Sequence, residues 1–274
     1  MRHACLALAA ALALAACQVT EPAVNASAFR AQPSSALAGA VRALETVGAL
    51  SAPDTPIEVR ALQCETRVDS ERRRTVERVF LDLTIYAPSQ GAAQDVFRAV
   101  AAALRTEARA SERVEPANPE RVRLALARLD EVAAREDFVS YSDRVALEVQ
   151  PGASSGGGTE SATLQEGLET YVRSRAARAE SVGGVRLRPA DERAGAVFAG
   201  TTRFELTPAF EFQRFELFRI ASFLASLEAD SPGVRLTRLS IERSQHEPDI
   251  HSPRRWTFSA ELACPESNDF GAGA

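Results

Sequence analysis

Lysine is absent from all 274 residues, so the 32 basic side chains are arginines. That excludes a Schiff-base lysine, the lysine of a phosphate-binding loop and a Ser–Lys dyad. A GC-rich coding sequence, which favours Arg and Ala codons, accounts for the bias. Methionine occurs once, at position 1, so the rest of the chain has no soft, adaptable thioether surface. Histidine is limited to His3, His246 and His251, which leaves few groups that change charge near neutral pH. No G-x-S-x-G elbow, dinucleotide fingerprint or C-x-x-C is present, and Gly156-Gly157-Gly158 lacks the lysine a phosphate loop needs. These absences point away from an enzyme, a cofactor or a bound metal. A hydrolase with a spatial triad needs no local signature and ranks third among the readings.

What the chain does have begins at its start. Met1-Arg2-His3 precedes an uncharged apolar run from Ala4 to Ala16, too short to span a bilayer. It reads as a cleavable export signal over residues 1–16. Leu14-Ala15-Ala16-Cys17 resembles the lipobox of bacterial lipoproteins. The resemblance implies lipidation of the Cys17 thiol, cleavage before it and acylation of the new amine. Several acyl chains hold a protein to a membrane where one is marginal. In that family an Asp after the Cys retains the protein at the inner membrane. Gln18 therefore implies the outer membrane, facing the periplasm.

Removing sixteen of the 274 residues leaves 258, enough for one large domain or two small ones. The leader carries one Arg, so the net charge passes from −5 to −6, which argues against nucleic acid as a partner. Four cysteines occur; Cys5 leaves with the leader and Cys17 takes lipid. Cys64 and Cys264 remain for an oxidising compartment, where pairing is the default. Such a bridge closes about 200 residues, worth roughly 5 kcal/mol by chain entropy. Two separately buried thiols are the alternative.

Residues 17–55, rich in Ala, Ser, Pro and Thr, read as anchor and tether, with one possible helix from Ala36 to Leu50. A first α+β half spans 56–150. Ile57, Val59 and Ala61 alternate towards Cys64, Asp69 to Arg74 is a charged hairpin loop, and Val79, Leu81, Leu83 and Ile85 mark a strand closed by Pro88. Ala93, Phe97, Val100 and Leu104 fall on one helical face. A second helix starts at Pro119 and carries Val122, Leu126, Leu129 and Ala133, followed by a strand with Val145, Leu147 and Val149. Residues 151–161 form a flexible linker.

The second half, 162–264, opens with a helix bearing Leu164, Leu168 and Tyr171. A strand through Phe198, Thr202, Phe204 and Leu206 follows, then a helical stripe of Phe212, Leu217, Ile220, Leu224 and Leu227. Val234 to Ile241 is a strand whose phase slips between Leu236 and Leu239, the mark of a bulge. Trp256, Phe258, Ala260, Leu262 and Cys264 alternate in the last strand, before a disordered tail, 265–274. Leu81-Asp82-Leu83-Thr84 before a helix with Phe97-Arg98 matches Phe204-Glu205-Leu206-Thr207 before one with Phe218-Arg219, which suggests duplication. The fold class is α+β, with antiparallel sheet, helices on one face and a C-terminal β-α-β-β unit.

His246-Glu247-Pro248-Asp249-Ile250-His251 offers two imidazoles and two carboxylates, but Pro248 prevents the helix that aligns zinc ligands, so it reads as a polar loop. Glu205, Glu211 and Glu216 straddle a strand and a helix start, where acids complement the helix dipole. The aromatic stretch Phe198 to Phe223 reads as core. From Phe204-Glu205-Leu206 through Phe223-Leu224, Leu227 and the strand Val234 to Ile241, to Trp256-Thr257-Phe258, the pattern resembles the ferredoxin-like periplasmic domain of PilO-type pilus and secretion assembly proteins. The lipobox departs from that family's transmembrane start. Such domains act by pairing with similar ones, so the expectation is a non-enzymatic envelope scaffold working through contacts with envelope proteins. The alternative is a carrier of a small or apolar ligand between the two halves.

Overall fold

The computed structural model describes residues 35–69, 74–110, 118–149, 164–178, 184–190, 201–229, 233–243 and 254–265. A compact unit spans Ala31–Ala274. Its elements run α1 (Ala36–Leu50), β1 (Ile57–Asp69), β2 (Arg74–Ala87), α2 (Gln90–Ala110), α3 (Pro119–Ala127) with a 3-10 turn Arg128–Asp130, β3 (Val139–Val149), α4 (Leu164–Arg178), β4 (Val185–Pro189), β5 (Thr201–Pro208), α5 (Leu217–Ala229), β6 (Arg235–Arg243) and β7 (Trp256–Pro265). The class is α+β as expected.

The seven strands among the described residues form one antiparallel sheet in the order β3-β2-β1-β6-β7-β5-β4. The expected halves therefore meet strand to strand, with Leu62 of β1 opposite Ile241 of β6. β7 lies between β5 and β6, which α5 connects. The phase slip read in the sequence is a real register shift between Leu236 and Arg238.

Period-two alternation decides which face is which. Val79, Leu81, Leu62, Leu239, Ala260, Leu262, Phe204 and Leu206 all point into one continuous core under the helices. The opposite face carries a cross-strand row that opposes charges for most of its length: Glu148, Arg78, Glu65, Arg238, Glu261, Glu205 and Arg188 sit side by side across all seven strands. Opposite charges in neighbouring strands contribute about 0.2–1 kcal/mol each and fix the register.

Several expectations are corrected. The tether does not extend to residue 55, because α1 belongs to the core, with Leu37, Ala40, Val41 and Leu44 buried. Ser35 caps this helix, its Oγ accepting from the Ala38 N–H at 3.2 Å. That hydroxyl also lies 2.7 and 2.8 Å from the Glu228 carboxylate near the end of α5, tying the start of α1 to the end of α5. The helix after Pro119 stops at Ala127 and tightens into the 3-10 turn rather than reaching Ala133. β4 is an added strand, making the second half α-β-β-α-β-β. Phe212 is not on the α5 stripe; it lies in the turn before the helix. The 151–161 linker and residues 266–274 lie outside the described residues, while Pro265 closes β7 opposite Thr201.

Candidate functional site

Cys17, the expected lipidation site, and His246 and His251 lie outside the described residues. No metal-holding group of His, Cys, Asp and Glu occurs among the described residues.

The expected Cys64–Cys264 bridge is corrected: both thiols are free and buried. Cys64 stands opposite Leu239, and Leu239 opposite Ala260, so Cys264 is two strands across and four residues along. At ~4.8 Å per strand and ~3.4 Å per residue their Cα atoms lie about 16 Å apart, more than twice a disulfide's reach. Burial pushes both thiols well up, and the nearby Glu77 carboxylate adds to the effect on Cys64. They are inert core residues.

The junction between the halves is filled. Leu126, Leu129, Leu224, Ile241 and Trp256 are buried there, and the Trp256 indole N–H donates to Asp130 at 2.7 Å. At one end of the sheet Glu58, buried, accepts from the Tyr86 hydroxyl at 2.7 Å and faces the guanidinium groups of Arg243 and Arg254 at 3.6 Å. This ties β1 to the strands of the second half. Burial and that hydrogen bond raise the Tyr86 hydroxyl.

The anomaly of the surface is aromatic. Phe210, Phe212 and Phe218 are 69%, 85% and 59% exposed, whereas Phe204, Phe215 and Phe223 are buried as expected. The three exposed rings come from the turn between β5 and α5 and from the first turn of α5. Phe215 anchors that turn: its backbone exchanges hydrogen bonds with Trp256, and its ring packs 6.1 Å from Phe258. Three large exposed rings thus fall within nine residues of chain around this anchored turn, and the Arg219 guanidinium lies 5.5 Å from the Phe218 ring. Scattered single hydrophobics need no explanation, but three large exposed rings within nine residues of chain mark a candidate contact surface. The exposed rings lie towards the N-terminal end of α5, and Ser35 is bonded at its C-terminal end. About 15 Å of helix separates Phe218 from Glu228.

Below Phe210 runs a groove of about 350 Å³. Its floor is a row of short hydroxyl side chains one step along from the charged row: Ser240 opposite Ser259, with Thr257 and Thr207 beside them. Arg186, Glu211 and Glu242 stand around it. Glu242 accepts from Gln63 at 3.3 Å and from Ser240 at 3.0 Å, both neutral donors. Neither Glu242 nor Glu211 forms an ion pair among the described residues, whereas Glu58, Glu65, Asp82, Glu216 and Glu261 all do.

Of the three acids singled out in the sequence, only Glu211 borders this groove. Glu205 belongs to the charged row, and Glu216 pairs with Arg219 at 2.9 Å. The exposure of Phe210, Phe212 and Phe218 was not foreseen, although a signal existed. Leu217, Ile220, Leu224 and Leu227 keep helical spacing, and Phe212 falls off that stripe.

No family model and no curated protein matches the chain. Among solved structures it is similar to the tesB protein of Mycobacterium avium subs paratuberculosis, at 8% identity over 82% of this chain and 84% of that one, with a TM-score of 0.19. A likeness of that size carries no argument about fold or activity.

Proposed function

We propose that this protein is an envelope lipoprotein, held through lipidated Cys17 to the outer membrane and facing the periplasm, that acts as a non-enzymatic scaffold through contacts with envelope proteins. The observation that carries the reading is the exposure of Phe210, Phe212 and Phe218, three large rings within nine residues around the start of α5. Exposed aromatics rimmed by arginine have the composition of interface hot spots. The order β6-β7-β5 around α5 supports the analogy with the ferredoxin-like domains of PilO-type assembly proteins, which work by pairing. The carrier alternative takes second place, because buried side chains fill the junction where its ligand was expected.

Site-specific photocrosslinking on native membranes tests the reading. A crosslinkable residue at position 212 is expected to give a defined adduct with an envelope protein, lost when Phe218→Asp is added. The same residue at Arg98, on the exposed face of α2, gives none. Adducts with lipid alone, or equal adducts from both positions, reject it.

A further inference from the structure

We infer that the groove bordered by Phe210 takes an extended, arginine- or lysine-bearing peptide segment of the partner; this rests on the scaffold reading and names the chemistry of what docks. The argument starts with charge. Glu211 and Glu242 line the groove against the single lining guanidinium of Arg186; among the described residues neither forms an ion pair, and Arg144, whose charge acts on Glu242, is already bound to Asp82. An anion is disfavoured there, and a cation supplies what the protein does not. The floor then limits the shape. Hydroxyls of Ser240, Ser259 and Thr257 both donate and accept, which suits backbone N–H and C=O groups and is wrong for an acyl chain. The groove crosses β6, β7, β5 and β4, a span of about 14–19 Å, or about five residues of extended chain. Finally, the exposed ring of Phe210 stands at the rim, placed to stack on a guanidinium or the stem of a basic side chain whose charge reaches Glu211.

The test uses the full chain in detergent micelles and a fluorescent pentapeptide of alternating arginine and alanine, read by anisotropy. Binding is expected, and the glutamate–alanine counterpart is expected to bind far more weakly. The paired substitutions Glu211→Gln and Glu242→Gln, both at exposed positions, weaken the arginine peptide at least about tenfold. Arg186→Glu strengthens it. Glu107→Gln with Glu136→Gln removes the same charge elsewhere and leaves binding unchanged. Equal binding of both peptides, or equal weakening by the two double variants, overturns the inference. If adducts at position 212 persist while peptide binding fails these criteria, the scaffold reading stands and the groove assignment falls. If the peptide binds as expected and no protein adduct forms, the reverse holds.

Discussion

At the scale of single residues, the most consequential side chain is Glu228. Its carboxyl group is enclosed between Ser35, the Leu236 N–H at 2.9 Å and the end of α5, and burial raises its affinity for a proton. The folded state then holds more protons than the unfolded one just above the ordinary carboxylate range, so stability falls as pH rises through that window. Glu228→Gln removes the titration while keeping an acceptor for Leu236. The urea midpoint of the variant is expected to gain on the wild type from about pH 4 to about pH 8; a gap that is flat or shrinks with pH contradicts this account. Trp256 offers a second case, fully buried with its indole bonded to Asp130. Trp256→Phe is expected to cost about 1–3 kcal/mol, measured by circular dichroism in urea, because it loses that bond and leaves space. A cost near zero shows that the bond is dispensable. Residue by residue, legibility was uneven. The alternation from Trp256 to Cys264 announced five inward side chains correctly, but nothing in one dimension told that Cys64 lies two strands away and out of step with Cys264.

At the scale of elements, the strands with strict alternation and the helices with clean stripes were readable, because each period reports one buried face. β4 was not. Val185-Arg186-Leu187-Arg188 is a short edge strand whose apolar residues are only half-buried, so its pattern is faint. Its entry is set by Gly184 at φ +83°, whose carbonyl accepts from the Ala209 N–H beside the groove. A side chain at that position is strained and meets Gln213 at 3.2 Å. Gly184→Ala is expected to cost about 1–2 kcal/mol in urea unfolding and to quicken amide exchange at Ala209. Unchanged exchange at Ala209 argues that β4 tolerates the bend without glycine. The end of the helix after Pro119 was hidden for another reason. Leu129 keeps the helical spacing, and only the packing of the following turn against Trp256 and Arg254 decides that the chain leaves the helix there.

At the scale of the whole molecule, composition and alternation announced an α+β body with helices on one face, but not that two apparent halves form a single sheet. Strand neighbours are long-range, and a one-dimensional reading sees a Gly-Ser stretch as a boundary. The proposed lipidation of Cys17 is open to a simple chemical count. Cys64 and Cys264 are buried, so if residues 1–16 are removed and Cys17 carries lipid, the native protein is expected to react with no aromatic disulfide reagent. On denaturation it should release two thiols if Cys17 carries lipid and three if it does not. A count of three removes the membrane address.

The joint between β1 and β6 has a cost in time. Gln63 and Glu242, which meet there, are 179 residues apart in the chain. As the polypeptide emerges from its N-terminus, β1 can find β2 at once, yet its other margin has no neighbour until most of the sequence has been made. Pairings this distant form slowly. A chain halted before β6 therefore carries a bare row of peptide groups, ready to recruit its like.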